Sequence, residues 1–418
     1  MWYNFPNCSD GGTNGGESGH MNFYGITGTN GKTTTTWIFA AFLNACPGRK
    51  CGYVTTVEVF DGAKRFSTGY TTPPLAQLHE IYAAMAANGC TDCVMEVSSH
   101  AIHQNRTGDT VFAGGAFTNL SEDHLDYHKT MAEYFRVKAS FAAKIAASHP
   151  TRPDMGRREL PPYVVCLDGE NGRAMFDAVG DFAVNVIPVT NGRDQTPPAP
   201  RPAYDLSGLQ LVGDYNESNV LVAAALAEAA GVPHAVIQSV IPTLRPRWGR
   251  LERVANPHVK AQVYVDFAHT PDGLEKVLTA ARGFTKGRLW VVFGAGGDRD
   301  PLKRPLMGAA CARLADSLVV TSDNPRGEDP LAIIDAIRVG VREVAKRRTP
   351  PPDVFVEPDR RAAIACALAR AAADDVVIVA GKGHETTQEV KGVKHPFDDR
   401  EVVRAFGGAS QEGVCHAL

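Results

Sequence analysis

The chain has 418 residues, 44% of them apolar and 21% charged, with a formal charge of −3 and a pI near 6.5. That length exceeds one ordinary hydrophobic core and predicts two domains of roughly 150–200 residues each. The near-balanced charge excludes a global pull toward nucleic acid or a membrane surface, so any anionic ligand must be held by loops, helix N-termini or individual Lys and Arg residues.

Residues 1–20 are rich in Gly, Ser, Asn and Asp and carry no basic-then-apolar signal pattern, so they read as a disordered lead-in. A buried-strand pattern at Phe23–Ile26 runs into a Gly/Thr-rich loop, and a helix is predicted from about Lys32 to Asn44. A second strand, Asp92–Val97, ends in Glu96-Val97-Ser98-Ser99-His100, and a helical stretch covers about Met131 to Ala147. The Pro- and turn-rich segments 148–162 and 190–202 read as surface loops, and Glu217–Ala230 as an Ala-rich helix. The Pro/Arg cluster Pro242–Arg250 marks a domain boundary.

Beyond it, strands at Gln262–Phe267, Leu289–Phe293, Ser317–Thr321, Val354–Val356 and Val376–Ala380 alternate with helices near Asp272–Arg282, Leu302–Leu314, Leu331–Arg347 and Arg360–Ala373. That rhythm predicts an α/β fold with a mostly parallel sheet and helices on both faces. Nothing approaches ~18 consecutive apolar residues, so no membrane span is expected. Nine cysteines are scattered through the chain, and Cys93, Cys166, Cys311 and Cys366 sit in apolar stretches as small hydrophobes. The one C-x-x-C, Cys90 to Cys93, runs into a strand rather than opening a helix, which disfavours a redox motif. With no second pair, a four-cysteine zinc site is disfavoured too. A reduced, cytoplasmic protein is expected.

Three constellations carry chemistry. In Gly25-Ile26-Thr27-Gly28-Thr29-Asn30-Gly31-Lys32-Thr33-Thr34, a strand feeds a Gly-rich turn and Lys-Thr opens a helix. Backbone N–H groups and the helix dipole then surround phosphates, the lysine offsets their charge, and a threonine hydroxyl can bind Mg²⁺. The strict phosphate-loop pattern is not met, because Ile26 stands where its first glycine belongs. Glu96 and the run Asp123-His124-Leu125-Asp126-Tyr127-His128 supply carboxylates and imidazoles suited to holding Mg²⁺ nearby. Zinc is disfavoured, since no Glu follows the first His. Lys138, inside a helix, reads on sequence physics alone as a surface or snorkelling lysine.

The third constellation follows three predicted strands: Gly294-Ala295-Gly296-Gly297-Asp298-Arg299, Asp323-Asn324-Pro325-Arg326 and Gly381-Lys382-Gly383-His384-Glu385. Carboxyl ends of parallel strands are where open α/β sheets bind ligands. Arg299, Arg326 and Lys382 offer cations for a carboxylate and Glu385 an anion for an ammonium, a mixture that suits a zwitterionic amino acid. The bland alternative is a set of solvated loop charges. A dinucleotide site is disfavoured, because Gly294–Arg299 lacks the third glycine of its fingerprint.

Taken in order, these blocks resemble the Mur ligase family, in its UDP-N-acetylmuramoyl-tripeptide synthetase branch. The matching segments also include Tyr70-Thr71-Thr72-Pro73, Phe117–His128, Asp214–Asn219 and Val265–Asp272, so the resemblance runs from about Met21 to the end. It implies a P-loop-type central ATPase domain over 21–243 and a Rossmann-like, amino-acid-binding α/β domain over 244–418, which close on each other during the reaction. It implies ATP and Mg²⁺ as cofactors, with Gly28, Thr29, Asn30, Gly31, Lys32, Thr33 and Thr34 around the phosphates. Asn216 and Asn219 match adenine-side positions, and Arg250 and Asp266 match phosphate and ribose contacts. Thr33, Glu96, His124 and a carbamylated Lys138 would hold metal, with Lys32, Glu96, His124 and Lys138 as the catalytic set.

Thr71, Thr72, Ser98 and Arg106 would face the carboxylate-bearing peptide, and Arg299, Asp323, Asn324, Arg326, Gly381 and Glu385 would form the amino-acid pocket. The Asp-Asn-Pro-Arg form is the one associated with meso-diaminopimelate. The implied activity is ATP-dependent joining of that diamino acid to a glutamyl carboxylate through an acyl phosphate, in cell-wall synthesis. The branch's N-terminal, uridine-gripping domain has no evident counterpart in the short lead-in, so a free or otherwise carried peptide ending in D-Glu is expected as readily as the UDP-linked one, with a partner supplying the N-terminal function as a further expectation. Two other readings stand beside this one: a polyglutamate-type ligase such as folylpolyglutamate synthase, and a non-catalytic subunit that scaffolds a partner.

Overall fold

The computed structural model describes residues 21–149, 156, 159–192, 204–407 and 416–417. The predicted lead-in lies outside them, as do the central parts of the loop segments 148–162 and 190–202. The chain divides into two compact units. The first runs to Ser121 and resumes over His128–Gln210 and Asp214–Leu244; the second takes Glu122–Tyr127, Leu211–Gly213 and everything from Arg245 onward.

In the first unit β1 (Asn22–Thr27) leads into α1 (Lys32–Ala45), followed by β2 (Cys51–Val54), β3 (Val59–Phe60) and β4 (Arg65–Phe66). Next come α2 (Leu75–Ala87), β5 (Asp92–Glu96), α3 (Ser99–His103), β6 (Phe112–Phe117), then α4 (Leu125–His128), most of which is grouped with the second unit, and α5 (Met131–Ala147). The remainder is β7 (Pro162–Cys166), α6 (Gly172–Val179), β8 (Asn185–Val189), α7 (Asp214–Ala229) and α8 (His234–Val240). The strands form one sheet in the order β4-β3-β2-β5-β1-β6-β7-β8. β1 is central, parallel to β5 on one side and β6 on the other, and only the β2-β3-β4 edge is antiparallel. The loop after β1 therefore emerges mid-sheet, between the ends of β5 and β6.

The core explains two of the helices. Along α5 the buried residues are Tyr134, Lys138, Ala139, Phe141, Ala142 and Ile145. This is a stripe at helical spacing that packs with Phe112, Phe117 and Tyr163 of the sheet. Thr130 caps that helix by accepting a bond from Glu133 N at 3.1 Å. α7 is buried without a break from Ser218 to Ala227, as its near-continuous apolar sequence requires.

The second unit comprises β9 (Glu252–Arg253), β10 (Gln262–Asp266), α9 (Pro271–Arg282), β11 (Leu289–Phe293), α10 (Lys303–Leu314), β12 (Ser317–Val320) and α11 (Pro330–Ala345). It continues with β13 (Asp353–Val356), α12 (Arg360–Arg370), β14 (Val376–Ala380), the hairpin β15 (Thr387–Val390) and β16 (Val393–Pro396), α13 (Asp399–Ala405) and β17 (His416–Ala417). Its main sheet runs β17-β13-β12-β11-β14-β10-β9. The five inner strands are parallel and the two edges antiparallel. Both faces are covered. Val291 and Phe293 of β11 pack with α9, α10 and α11, while Trp290 and Val292 pack with α12 and α13. Burial on both faces is why these strands read as unbroken apolar runs.

Cys93, Cys166 and Cys311 are buried free thiols, as their apolar setting suggests. Cys366 departs from that expectation, being disulfide-bonded. Among the described residues no helix is long and apolar enough to cross a membrane.

Candidate functional site

The Gly28–Gly31 loop is shaped by positive backbone angles, φ 148° at Gly28 and 85° at Gly31. A Cβ at Gly28 would collide with Thr118 Oγ1, and one at Gly31 with Asn219 Oδ1. Thr118 and Asn119, just past β6, fasten the loop: Thr118 Oγ1 donates to Asn30 O at 2.6 Å, and Asn30 N donates to Asn119 Oδ1 at 2.9 Å. Thr29 Oγ1 meets Tyr134 OH at 3.1 Å. Helix α1 then begins with Lys32 and has no acidic residue in its first turn, so its N-terminal dipole is left for an anion.

Lys32 Nζ donates to Gly28 O at 2.9 Å and to Thr29 O at 2.8 Å. Lys138 Nζ donates to the same Gly28 carbonyl at 2.8 Å and lies over the Tyr134 ring. Two ammonium groups thus converge on one loop carbonyl. This corrects the surface reading of Lys138, which is 1% exposed. The signal was present in the spacing: Lys138 falls on the Tyr134–Phe141–Ile145 stripe, the face that a helix in an α/β domain buries. Asn219 joins the loop from α7, accepting from Thr35 Oγ1 at 3.2 Å and donating to Asn216 Oδ1 at 3.2 Å. Thr33 is buried and Thr34 half-buried at the helix start.

Glu96 closes β5, in register with Ile26 of β1. Its carboxylate, 1% exposed, accepts from Thr56 N at 2.8 Å and Thr56 Oγ1 at 3.1 Å. Around it the structure gathers the four residues expected to face a peptide. Thr56 Oγ1 reaches Thr71 Oγ1 at 2.9 Å, and Thr72 Oγ1 donates to Glu96 O at 2.9 Å. Ser98 N donates to Thr72 Oγ1 at 3.1 Å, and Arg106 Nη1 donates to Thr72 O at 3.1 Å. Thr56, Thr118, Asn119 and Tyr134 are the participants that sequence reasoning did not single out as site residues. Each is an ordinary polar or aromatic residue whose role exists only through its tertiary neighbours.

His128 backs this region. It is fully buried, bonds Ser99 Oγ at 2.9 Å and stacks on Tyr134 at 5.1 Å. Burial, with His100 and Lys138 nearby, holds its imidazole down at about 4 and therefore neutral. His124 belongs to the segment grouped with the second unit. It has φ 56°, and its Nε2 lies 3.4 Å from Asp123 Oδ2. Asp123 is held below the usual carboxylate range: its burial is outweighed by His124, His269 and Lys303.

In the second unit Asp266 accepts from Leu251 N and, at 2.7 Å, from Ala268 N. Burial nonetheless pushes its carboxyl up, against the pull of Arg250. The Arg250 guanidinium stacks over Phe267 at 4.5 Å. The Asp-Asn-Pro-Arg and Gly-Lys-Gly-His-Glu loops meet. Asn324 Nδ2 donates to Glu385 Oε2 at 2.8 Å, and Lys382 Nζ donates to the same oxygen at 2.8 Å and to Asn324 Oδ1 at 3.2 Å. Lys382 is thus an internal strut with a fully buried side chain, which corrects its reading as a cation presented to substrate.

Asp323 is buried with Oδ2 lacking a hydrogen-bond partner. Gly381 is buried beside it. Arg326, at φ 51°, donates from Nη1 to Gly297 O at 2.8 Å and lies 3.6 Å from Glu389. Arg299 is exposed and donates only locally, to Asp298 O at 2.9 Å. The Asp-Asn-Pro-Arg loop therefore holds a buried carboxylate oxygen and a half-buried guanidinium, groups whose chemistry suits an ammonium and a carboxylate respectively.

Two family models match the chain: "Mur ligase middle domain" over residues 26–151 and "Mur ligase, glutamate ligase domain" over residues 249–383. A UDP-N-acetylmuramoyl-L-alanyl-D-glutamate–2,6-diaminopimelate ligase of Streptomyces avermitilis is 39% identical over 397 residues, covering 91% of this chain and 74% of that protein. A solved structure of a ligase of the same name aligns at TM-score 0.57 and 29% identity, covering 94% of this chain and 78% of that one. A folylpolyglutamate synthase of Mycobacterium tuberculosis, complexed with ADP, aligns at TM-score 0.60 with 19% identity, covering 87% and 88%. That last likeness speaks for the fold alone.

Proposed function

The chain belongs to the Mur ligase family of ATP-dependent amide ligases, and from that premise we propose that it joins meso-diaminopimelate to the glutamyl carboxylate of a muramyl-type peptide. The observation that carries the choice of amino acid is that one loop holds both the buried carboxylate oxygen Asp323 Oδ2, without a hydrogen-bond partner, and the half-buried guanidinium of Arg326. A diamino acid with two carboxylates offers an ammonium to the first and a distal carboxylate to the second. Lysine lacks the distal carboxylate, and glutamate lacks the second ammonium. We assign residues 21–243 to ATP and the acyl substrate and 244–418 to the amino acid, and place the enzyme in the cytoplasm, where ATP is available.

In this reading Thr71, Thr72, Ser98 and Arg106 hold the peptide so that its carboxylate oxygen attacks the γ-phosphorus of ATP and ADP leaves. The neutral amine of the diamino acid then attacks the acyl carbon, the amide bond forms, and phosphate departs. Lys32, at the first turn of α1, offsets charge on the transferring phosphoryl group. The loop glycines keep backbone N–H groups near the phosphates, and Asn216 and Asn219 brace the loop from α7. Arg250 and Asp266 are assigned to the nucleotide.

The residues present in the first unit fit Mg²⁺: the Thr33 hydroxyl and the Glu96 carboxylate are hard oxygen donors. A carbamate on Lys138 would add a further anionic oxygen beside Gly28. Mg²⁺, when bound there, would supply charge neutralisation on the phosphates.

The test is ADP release by the purified chain given ATP, Mg²⁺, UDP-N-acetylmuramoyl-L-Ala-D-Glu and one amino acid at a time. Release that requires both the peptide and meso-diaminopimelate, with lysine and glutamate poor, is expected. Equal release with glutamate and a folate-type acyl substrate would favour the polyglutamate reading, and no release with any pair would favour a binding role.

A further inference from the structure

Arg360 and Asp399 form an ion pair with both side chains fully buried. The guanidinium grips the carboxylate as a fork, Nε to Oδ1 at 2.8 Å and Nη2 to Oδ2 at 2.7 Å. Its other hydrogens go to backbone: Nη1 donates to Ser322 O at 3.2 Å and Nη2 to Ala380 O at 2.9 Å. Ser322 immediately precedes Asp323-Asn324, and Ala380 immediately precedes Gly381-Lys382. The two strands that carry these loops, β12 and β14, are not neighbours, because β11 lies between them. No sheet hydrogen bond joins β12 directly to β14, and the guanidinium ties the ends of these two strands to each other across β11.

Arg360 is not there to serve its own helix, and Asp399 is not the cap of its own. Asp359 already caps α12, accepting from Ala362 N at 2.9 Å, and Asp398 caps α13, accepting from Arg400 N at 2.8 Å. A cation at the first residue of a helix opposes the helix dipole. A buried ion pair is also a costly way to fill space that apolar side chains fill as well. The negative charges of Asp323 and Glu385 also act on Arg360, so the guanidinium is electrostatically part of the pocket without lining it.

We propose that Arg360, clamped by Asp399, is a positioning residue for amino-acid binding: it fixes the separation of the 323–326 and 381–385 loops so that Asp323 and Glu385 face one ligand. The inference rests on the amino-acid pocket assigned above, and the experiment separates the two. Full-length Asp399→Asn, Arg360→Lys, Arg360→Met and the double variant Arg360→Met/Asp399→Leu are compared with wild type in Tm and in KM for meso-diaminopimelate, peptide and ATP. The double variant removes both charges and fills the space with apolar side chains, so it reports even where a single variant fails to fold.

The expected result is a rise of about tenfold in the diaminopimelate KM, with KM for ATP and peptide within about twofold and Arg360→Lys closer to wild type than Arg360→Met. A folded double variant with unchanged diaminopimelate KM, or one in which all three KM values rise together, overturns the proposal. Asp323→Asn is run in parallel. If it leaves the diaminopimelate KM unchanged, the pocket assignment itself falls. If it raises that KM while the Arg360 and Asp399 variants do not, only the positioning role falls.

Discussion

The loops Gly28–Gly31 and Gly294–Gly297 each follow a central buried strand and look alike in sequence, but their glycines answer different demands. At Gly28 the intruding atom is a side-chain hydroxyl, Thr118 Oγ1, at φ 148°. The loop is an isolated turn braced from outside by Thr118, Asn119 and Tyr134. At Gly297 a Cβ would collide with the backbone carbonyl of Pro325, and Gly297 N donates to Asn324 O at 2.9 Å. There the glycine lets one loop lie against the backbone of another, which places Arg326 on Gly297 O. The first loop leaves room for side chains around its own turn, the second packs against a neighbouring backbone. Glycine content alone does not separate the two; what touches the missing side chain does.

That contrast predicts that damage to the first loop should appear in the chemical step and damage to the second in amino-acid selection. The largest effect is expected at Lys32. Lys32→Ala should lower kcat by about 10²–10³-fold or more with Tm nearly unchanged, because the half-buried ammonium donates to loop carbonyls and acts on developing phosphate charge. Lys138→Ala should be comparably inactive and partly rescued by short carboxylates that stand in for a carbamate. Near-normal turnover by a folded Lys32→Ala protein would end the ligase reading.

A smaller effect is expected at Arg326. Arg326→Ala should raise the KM for diaminopimelate by roughly thirtyfold, on the order of 2 kcal/mol, and narrow the preference over lysine while leaving the KM for ATP alone. If the ATP KM moves instead, the division of labour between the loops is wrong.

The smallest effect concerns pH. His128 near the first loop and His384 in the second unit are both held neutral, chiefly by burial, at about 4 and about 3. Unfolded, each would take up a proton as pH falls through 6.5, so the unfolded state gains protons that the folded state refuses. Stability is therefore fully present above pH 6.5 and falls as pH drops toward 4. The expected loss is a few degrees of Tm per group. His128→Asn and His384→Asn should each flatten that slope, and a slope unchanged in both variants would remove the buried-imidazole account.

Much of this was legible in advance where local pattern and burial agree. The strands Leu289–Phe293 and Val376–Ala380 match their sequence reading residue for residue, because a strand covered on both faces must be continuously apolar. β6 went unread: its Phe-Ala-Gly-Gly-Ala-Phe sequence carries two central glycines, and a Cβ at Gly115 would crowd Ile145 and Phe141 of α5. Gly115, which weakens its strand signal, is the residue that lets a helix pack on it, while a Cβ at Gly114 would meet Pro162 of β7.

The sequence by itself determined the α/β rhythm, the turn that opens α1 with lysine, and the order of the polar loops at strand ends, since all of these follow from short-range pattern and backbone chemistry. Tertiary structure alone decided where each buried lysine is tied. Lys138 and Lys382 are both fully buried, one donating to the phosphate-loop carbonyl and the other to Glu385 and Asn324, and a long flexible cation carries no local mark of its partner. The Arg360–Asp399 pair is the extreme case. Its members stand 39 residues apart on two helices, and their meaning arises only where strand order brings Ser322 and Ala380 within reach of one guanidinium.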